Sequence, residues 1–164
     1  MNKTLLQGDG SRDFDFLMGK WVVRHRRLKE RLNGSTEWVE FDGITVADKL
    51  LDGQVNVDDN VLNFPQEIYR AISLRCYDPQ KQLWSIWWLD SRTPNRLDPP
   101  VVGKFVDGVG TFYAEDTLAC QPIRVRFQWM NTQSPSPCWE QAFSADNGTT
   151  WEINWIMDFS RMGT

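Results

Sequence analysis

Signals for tight turns recur about every 8–12 residues along almost the whole chain, and this spacing constrains the fold more than any other feature. Between the turns lie short stretches rich in Val, Ile, Trp, Phe and Thr, in which apolar and polar residues alternate. Alternation with a period of two is typical of half-buried β-strands. About ten such stretches predict an all-β barrel or sandwich. They lie near 21–32, 37–47, 54–62, 67–77, 82–90, 101–107, 110–118, 122–130, 138–145 and 150–160.

The first of these stretches, 21–32, leaves two interpretations open. Its alternation indicates a strand, whereas a second pattern fits a helix that Asn33-Gly34 would cap. We prefer the strand, because the closure of the barrel described below requires one there. A short helical turn is expected just before it, from Asp13 to Met18. The positions that fit helical spacing are Trp21, His25, Leu28 and Leu32.

The length of 164 residues is that of one domain. A protein of this size buries about 70% of the surface that its unfolded chain exposes, which supports a core without disulfides or metals. We therefore expect residues 1–164 to form a single domain, with residues 1–12 as a flexible N-terminal arm.

Charge and cysteine content exclude several classes of protein. The net charge is −4, so no nucleic-acid partner is expected. The three cysteines have no C-x-x-C spacing, form neither a disulfide framework nor a zinc site, and suit a reducing compartment. No apolar run reaches the about 20 residues of a membrane helix, and the N-terminal residues show no secretory signal. The composition predicts a soluble, cytoplasmic protein with no membrane partner.

The two ends of the chain carry residues that complement each other. Gly19-x-Trp21 stands just before the first predicted strand, and Arg161 directly follows the last. This pairing resembles the calycin superfamily, which includes lipocalins, fatty-acid-binding proteins and avidins. The resemblance implies that Trp21 closes one end of the barrel and that Arg161 packs over its ring, where a cation is attracted to the indole face. An even number of strands agrees with this, because it returns the last strand to the end where the first began.

The whole chain also resembles an uncharacterised group of bacterial calycin-like proteins, and this resemblance implies no activity. Together with the strand pattern it predicts an antiparallel up-and-down β-barrel of about ten strands. The segments that carry it are Asp-Ser-Arg-Thr-Pro at 90–94, Leu-Asp-Pro-Pro-Val-Val-Gly at 97–103 and Trp-Glu-Gln-Ala-Phe-Ser at 139–144.

The period of two also predicts which side chains face the interior. If Trp21 points inward, so do Val23, His25 and Arg27. The inward set of the 138–145 stretch is Trp139, Gln141 and Phe143, and that of the last stretch is Trp151, Ile153, Trp155, Met157 and Phe159. In the 82–90 stretch two faces compete, and we choose Trp84, Ile86, Trp88 and Asp90 over Leu83, Trp87 and Leu89.

An aromatic interior with a few polar groups is the usual form of a small-molecule site. We therefore expect a small, largely apolar or aromatic ligand, whose acidic group would meet Arg27 or Arg92. The loop 91–100, with three prolines, would take part in recognition at the open end. A barrel filled by its own side chains, in which Arg27 pairs with Asp90 or Glu37, is the competing interpretation. The expected ligand-binding residues are His25, Arg27, Arg70, Trp84, Trp88, Asp90, Arg92, Trp129, Trp139, Gln141 and Trp155.

Two other functions stay open on the sequence. One is an enzyme of the lyase, isomerase or cyclase type in the same cavity, with His25 as general acid or base and Asp90 or Arg27 as its partner. The other is a haem-binding barrel, for which His25 is the only histidine that the sequence offers as an axial ligand. No other cofactor and no metal is expected. The sequence does not determine the oligomeric state, and a homodimer is one option.

Overall fold

The computed structural model describes residues 10–163, which form one closed antiparallel barrel of ten strands. Each strand pairs with its neighbours in sequence and the first pairs with the last, so the chain runs up and down around the barrel. The predicted fold class is confirmed. The strands are β1 (Gly19–Leu28), β2 (Trp38–Leu50), β3 (Val55–Phe64), β4 (Glu67–Asp78), β5 (Leu83–Asp90), β6 (Val101–Val106), β7 (Val109–Leu118), β8 (Gln121–Met130), β9 (Cys138–Ser144) and β10 (Glu152–Arg161), with a 3-10 turn at Leu51–Gly53.

The first predicted stretch is a strand, and the helical alternative is wrong. Trp21, Val23 and His25 are buried, whereas Val22 and Arg24 are exposed. Such alternation places one row of side chains in the core and the other in solvent. β1 is hydrogen-bonded to β2 on one side and to β10 on the other, so it is the strand that closes the barrel.

Two short 3-10 turns, Gly10–Arg12 and Asp15–Leu17, precede β1. They confirm the helical turn expected near Asp13 to Met18. The backbone of Gly10 is held on both sides, since its N–H donates to Tyr77 Oη at 2.8 Å and its carbonyl accepts from Trp84 Nε1 at 3.0 Å. Most of the arm predicted over 1–12 lies outside the described residues; within the described part, Gly10 is hydrogen-bonded to the barrel and Arg12 is exposed.

Trp21 and Arg161 close the end of the barrel beneath these turns. The guanidinium carbon of Arg161 lies 3.8 Å from the centroid of the Trp21 ring. The same guanidinium donates hydrogen bonds to the carbonyls of Met18 and, at 3.0 Å, Phe16. Gly19 is required here for two reasons: its φ is +110°, and a Cβ at this position would lie 2.6 Å from Arg161 Nη1. The predicted closure by Gly19, Trp21 and Arg161 therefore has the expected geometry.

The predicted inward face of the last strand is only partly correct. Trp155, Met157 and Phe159 are buried, but Ile153 is exposed and Asn154 is fully buried. A register shift between Ile153 and Trp155 in the pairing with β9 inverts the side chains that precede it, because one extra residue exchanges the two faces of a strand. Trp151 accordingly lies outside, where the guanidinium of Arg126 stacks on it at 4.6 Å.

Candidate functional site

The open end of the barrel, opposite Trp21, leads into a cavity of about 270 Å³. The predicted recognition loop 91–100 borders it through Arg96, Asp98 and Pro99. Strand residues and Arg31 form the remaining walls, and most of these walls are apolar or aromatic. The walls include Arg27, Trp88, Phe127, Trp139, Gln141 and Trp155.

Arg27 contributes an unpaired charge to this cavity. It projects from β1 with its guanidinium carbon 4.8 Å from the centroid of the Trp155 ring. Its Nε is buried without a hydrogen-bond partner, and no carboxylate among residues 10–163 lies within 4.0 Å of its guanidinium nitrogens. Burial, followed by the positive charge of Arg31, lowers the pKa of Arg27 from its ordinary value. The predicted ion pairs of a filled core, with Asp90 or Glu37, are not formed.

Further charges surround the mouth of the cavity. Arg31 lines it and, within the described part of the chain, has no salt bridge. Arg96 lines it too and pairs with Asp98, at 3.3 Å between Arg96 Nε and the carboxylate. Two unpaired guanidiniums near each other attract an anion more than either does alone. Asp98 and Asp116 also line the cavity, but Arg27, Arg31 and Arg96 outnumber these two carboxylates, so the lining favours a negatively charged group on the ligand.

Tryptophans form an aromatic wall below the arginines. The rings of Trp88 and Trp139 both lie edge-on to that of Trp155, each with centroids 5.7 Å apart. Phe127 packs on Trp139 at 4.9 Å. Gln141, also on the wall, donates from Nε2 to the buried Asn154 Oδ1 at 2.8 Å. Flat apolar surfaces of this kind suit an aromatic or alicyclic ligand.

A second, smaller space of about 30 Å³ lies deeper in the barrel. Phe127, Trp88 and Trp139 line both spaces, so the two spaces adjoin each other. One side of the smaller space is polar, because Asp58 on β3 and Arg75 on β4 face it and form an ion pair of 2.5 Å. Both side chains are only 4% exposed.

Hydrogen bonds extend this ion pair into a network. Arg75 Nη1 donates to Asn56 Oδ1 at 3.1 Å. Asp58 Oδ1 accepts from Asn60 Nδ2 at 2.6 Å and from the backbone N–H of Ser73 at 3.0 Å. Arg75 Nε is buried and donates to no atom of the described residues. The network thus balances the charges of Asp58 and Arg75 but leaves one donor, Arg75 Nε, without a hydrogen-bond partner among the described residues.

His25 lies beside the cavity rather than on its wall. Its ring stacks on that of Phe41 with centroids 4.6 Å apart and 8° between the planes. Its Nδ1 accepts a hydrogen bond of 3.1 Å from Trp155 Nε1. Gly43 permits this packing, since a Cβ there would lie 2.9 Å from His25 Nε2. His25 therefore holds the Trp155 ring in place below Arg27.

Lowering the pH is expected to destabilise the protein through His25. Burial lowers the pKa of His25 to about 3, Arg27 adds to this effect and Asp42 opposes it. In the unfolded chain the His25 imidazole takes up a proton at about pH 6.5. The free energy of unfolding therefore falls as the pH drops from about 6.5 to 3, by up to about 1.4 kcal/mol per pH unit. Urea denaturation at about pH 7 and 5 measures it.

A matched variant separates this effect from other titrations. In His25→Asn the side-chain oxygen can accept the Trp155 hydrogen bond but does not titrate. Between the same two pH values, the wild type should lose about 2 kcal/mol more than this variant. Parallel losses in the two proteins would show that His25 is not held neutral.

The other predicted site residues fall into three places. Asp90 and Arg92 lie together outside the cavity wall, joined by an ion pair of 2.7 Å, and Arg92 stacks on Tyr69 at 3.8 Å. Trp84 and Trp129 lie towards the closed end, where both pack edge-on against Phe14.

Arg70 does not face the interior, contrary to the expectation. Its neighbours Tyr69 and Ala71 are buried, so alternation along β4 turns Arg70 outward. There it forms an exposed ion pair with Asp59.

The structure does not fit the axial histidine that haem binding would require. His25 is absent from the cavity wall, and its Nδ1 accepts from Trp155. Across residues 10–163, no three His, Cys, Asp or Glu side chains form a cluster that suits a metal ion.

Several residues at these two spaces were not expected from the sequence. Arg31 at the mouth lies in the loop after β1, where period-two alternation no longer holds. Asp58, Asn60 and Arg75 were missed for another reason: polar residues at alternate positions ordinarily indicate the solvent face of a strand.

No helix within residues 10–163 has the length and apolar character to span a membrane. No protein-family model matches the chain, and no curated protein matches it. The fold and the site together define a closed ten-stranded antiparallel barrel with an aromatic cavity at one end.

Proposed function

We propose that this protein binds a small aromatic or largely apolar acid in the cavity at the open end of the barrel. The acidic group lies against Arg27, and the apolar body packs on Trp88, Trp139 and Trp155. The observation that carries the proposal is the unpaired, half-buried guanidinium of Arg27. Burying a charge without a partner costs free energy, and an acid bound in the cavity offsets that cost.

The size and lining of the cavity support a small ligand. Its volume of about 270 Å³ lies just below the about 300–1,000 Å³ of typical ligand pockets. The walls combine broad aromatic surfaces with seven polar or charged side chains, which can orient a ligand. Arg92 is already paired with Asp90 and Glu67, which makes Arg27 the better partner for the acid.

We further propose that the protein is a calycin-like barrel of the cytoplasm. The closure of the barrel by Trp21 and Arg161 supports the calycin-like assignment, since the guanidinium carbon of Arg161 lies 3.8 Å from the centroid of the Trp21 ring. The three cysteines are free, which suits a reducing compartment. No second function is proposed, because His25 is engaged with Trp155 and does not line the cavity.

Substitution of Arg27 tests the proposed function. Anilinonaphthalene sulfonate, a fluorescent aromatic acid, is titrated into the wild type and into the variants Arg27→Met and Arg27→Lys. The bound probe is then displaced with biphenylcarboxylate or with its neutral amide. Arg27→Met should weaken the binding of both acids by about 10–100-fold, the worth of a charge-assisted hydrogen bond. Arg27→Lys should retain part of the affinity, and the amide should bind weakly to all three proteins.

Arg70→Met is the matched control, because Arg70 lies on the outer wall. It should leave the affinity unchanged. Arg27→Met should also leave the free energy of unfolding within about 1 kcal/mol of the wild type, since the lost stacking on Trp155 is offset by removal of an unpaired buried charge. Equal affinity of the wild type for the acid and the amide would refute the proposal.

A further inference from the structure

The inner space beside Arg75 has the properties of a second ligand subsite. It measures about 30 Å³, and about 10–15 Å³ is enough for one water-sized group. Arg75 lines its polar side, and this side chain, which is 4% exposed, contains a buried donor without a hydrogen-bond partner among the described residues, Arg75 Nε. A buried donor of this kind calls for an oxygen acceptor.

The chemistry of this acceptor follows from the charges around it. Arg75 is neutralised by Asp58 at 2.5 Å, and its Nη1 donates to Asn56. A second acid at this place would meet the carboxylate of Asp58 without a free positive charge to balance it. A neutral oxygen, such as a hydroxyl or carbonyl, satisfies Nε without adding charge.

The position of the inner space relates it to the outer cavity. The two share Ile86, Trp88, Phe127 and Trp139 in their walls. The two spaces therefore adjoin, and a ligand whose acid lies against Arg27 enters the inner space when its far end passes between these side chains. The inner space is too small for more than about two water-sized groups, so only the tip of the ligand enters.

We infer that the inner space recognises a neutral hydroxyl or carbonyl oxygen at the end of the ligand remote from its acid. This inference rests on the proposed function and makes the ligand class more specific: an elongated aromatic or apolar acid that carries one oxygen at its far end. Arg27 recognises the acid, and Arg75 Nε recognises the remote oxygen.

Two isomeric probes test this inference in the wild-type protein. One is biphenylcarboxylate with a hydroxyl at the far para position, and the other has its hydroxyl beside the carboxylate. Calorimetric titration should show about five- to tenfold tighter binding of the first, as one added hydrogen bond to a buried donor provides. Equal affinities of the two isomers would overturn the inference but leave the proposed function standing.

A variant that fills the inner space provides a second test of the inference. Ser73 lines that space, and Ser73→Val adds volume there while retaining the backbone N–H that donates to Asp58. The preference for the far-para isomer should disappear in this variant. Ser85→Val is the matched control, since Ser85 alternates with the inward Trp84 and Ile86, and it should retain the preference. Loss of the preference in both variants, or in neither, would contradict the inference. If neither isomer binds the wild type, the proposed function itself fails.

Discussion

Replacement of Trp21 by alanine is expected to lower the free energy of unfolding by about 3–5 kcal/mol, as large-to-small changes of buried aromatic residues do. Trp21 is 2% exposed and contacts Phe159 with ring centroids 5.9 Å apart. Its Nε1 also donates to the carbonyl of Leu17 at 2.7 Å, which ties the N-terminal 3-10 turn to the barrel. The substitution thus removes core packing and loosens the closed end together. Urea denaturation followed by far-ultraviolet circular dichroism measures the change.

The contribution of Arg161 should depend on Trp21. Arg161→Ala alone is expected to cost about 1–2 kcal/mol, from the lost stacking on the indole ring and the lost hydrogen bonds to two carbonyls. In the double variant the costs should not add, because the two side chains are in contact. Arg26→Ala serves as control, since Arg26 forms only an exposed pair of 3.7 Å with Asp158 and should cost less than about 1 kcal/mol. Strict additivity of Trp21 and Arg161 would contradict the contact.

The fold of this protein follows closely from local features of its sequence. Turn residues and alternation predicted ten strands, and their even number brings Arg161 back to Trp21. Alternation also predicted the inward side chains of β9 and those of β5 as far as Trp88, whereas Asp90 lies outside the cavity wall. It failed in β10 before Trp155, because the register shift there depends on pairing with β9 and leaves no local signal.

The candidate site was predictable only in part. Arg27 and the tryptophans follow from the phase of their strands, but the isolation of Arg27 from carboxylates depends on which strands the barrel places opposite it. The polar interior of β3 was missed because Asn56, Asp58 and Asn60 resemble a solvent face. The neighbouring strand gives the same misleading pattern, because Ser73 and Arg75 also alternate with apolar residues and are nevertheless buried.

These polar residues also bear on why the barrel is not filled by apolar side chains. The Asp58–Arg75 pair occupies the interior between the closed end and the outer cavity. Buried ion pairs rarely stabilise a fold more than apolar residues of the same volume would. The proposed recognition of a ligand oxygen by Arg75 Nε, in the inner space below the aromatic cavity, would account for their presence.

Asp58→Asn is expected to lower the free energy of unfolding by about 3–5 kcal/mol, because it leaves the charge of Arg75 buried without a counter-charge. The asparagine keeps an oxygen for the N–H groups of Ser73 and Asn60, so the loss reports mainly on the charge. Asp59→Asn is the matched control on the adjacent residue. Asp59 pairs with Arg70 on the exposed surface, and its substitution should cost less than about 1 kcal/mol.

A second substitution keeps this prediction testable even if Asp58→Asn folds poorly. Arg75→Met in the Asp58→Asn background removes the stranded charge and should recover most of the lost stability, although each change alone is destabilising. Chemical denaturation of the four proteins measures the coupling between the two residues. If Asp58→Asn costs no more than Asp59→Asn, or if Arg75→Met destabilises the variant further, the pair is not held as a desolvated ion pair. Arg75 would then be a poor candidate for the inner recognition of an oxygen, because a solvated guanidinium has water as an acceptor.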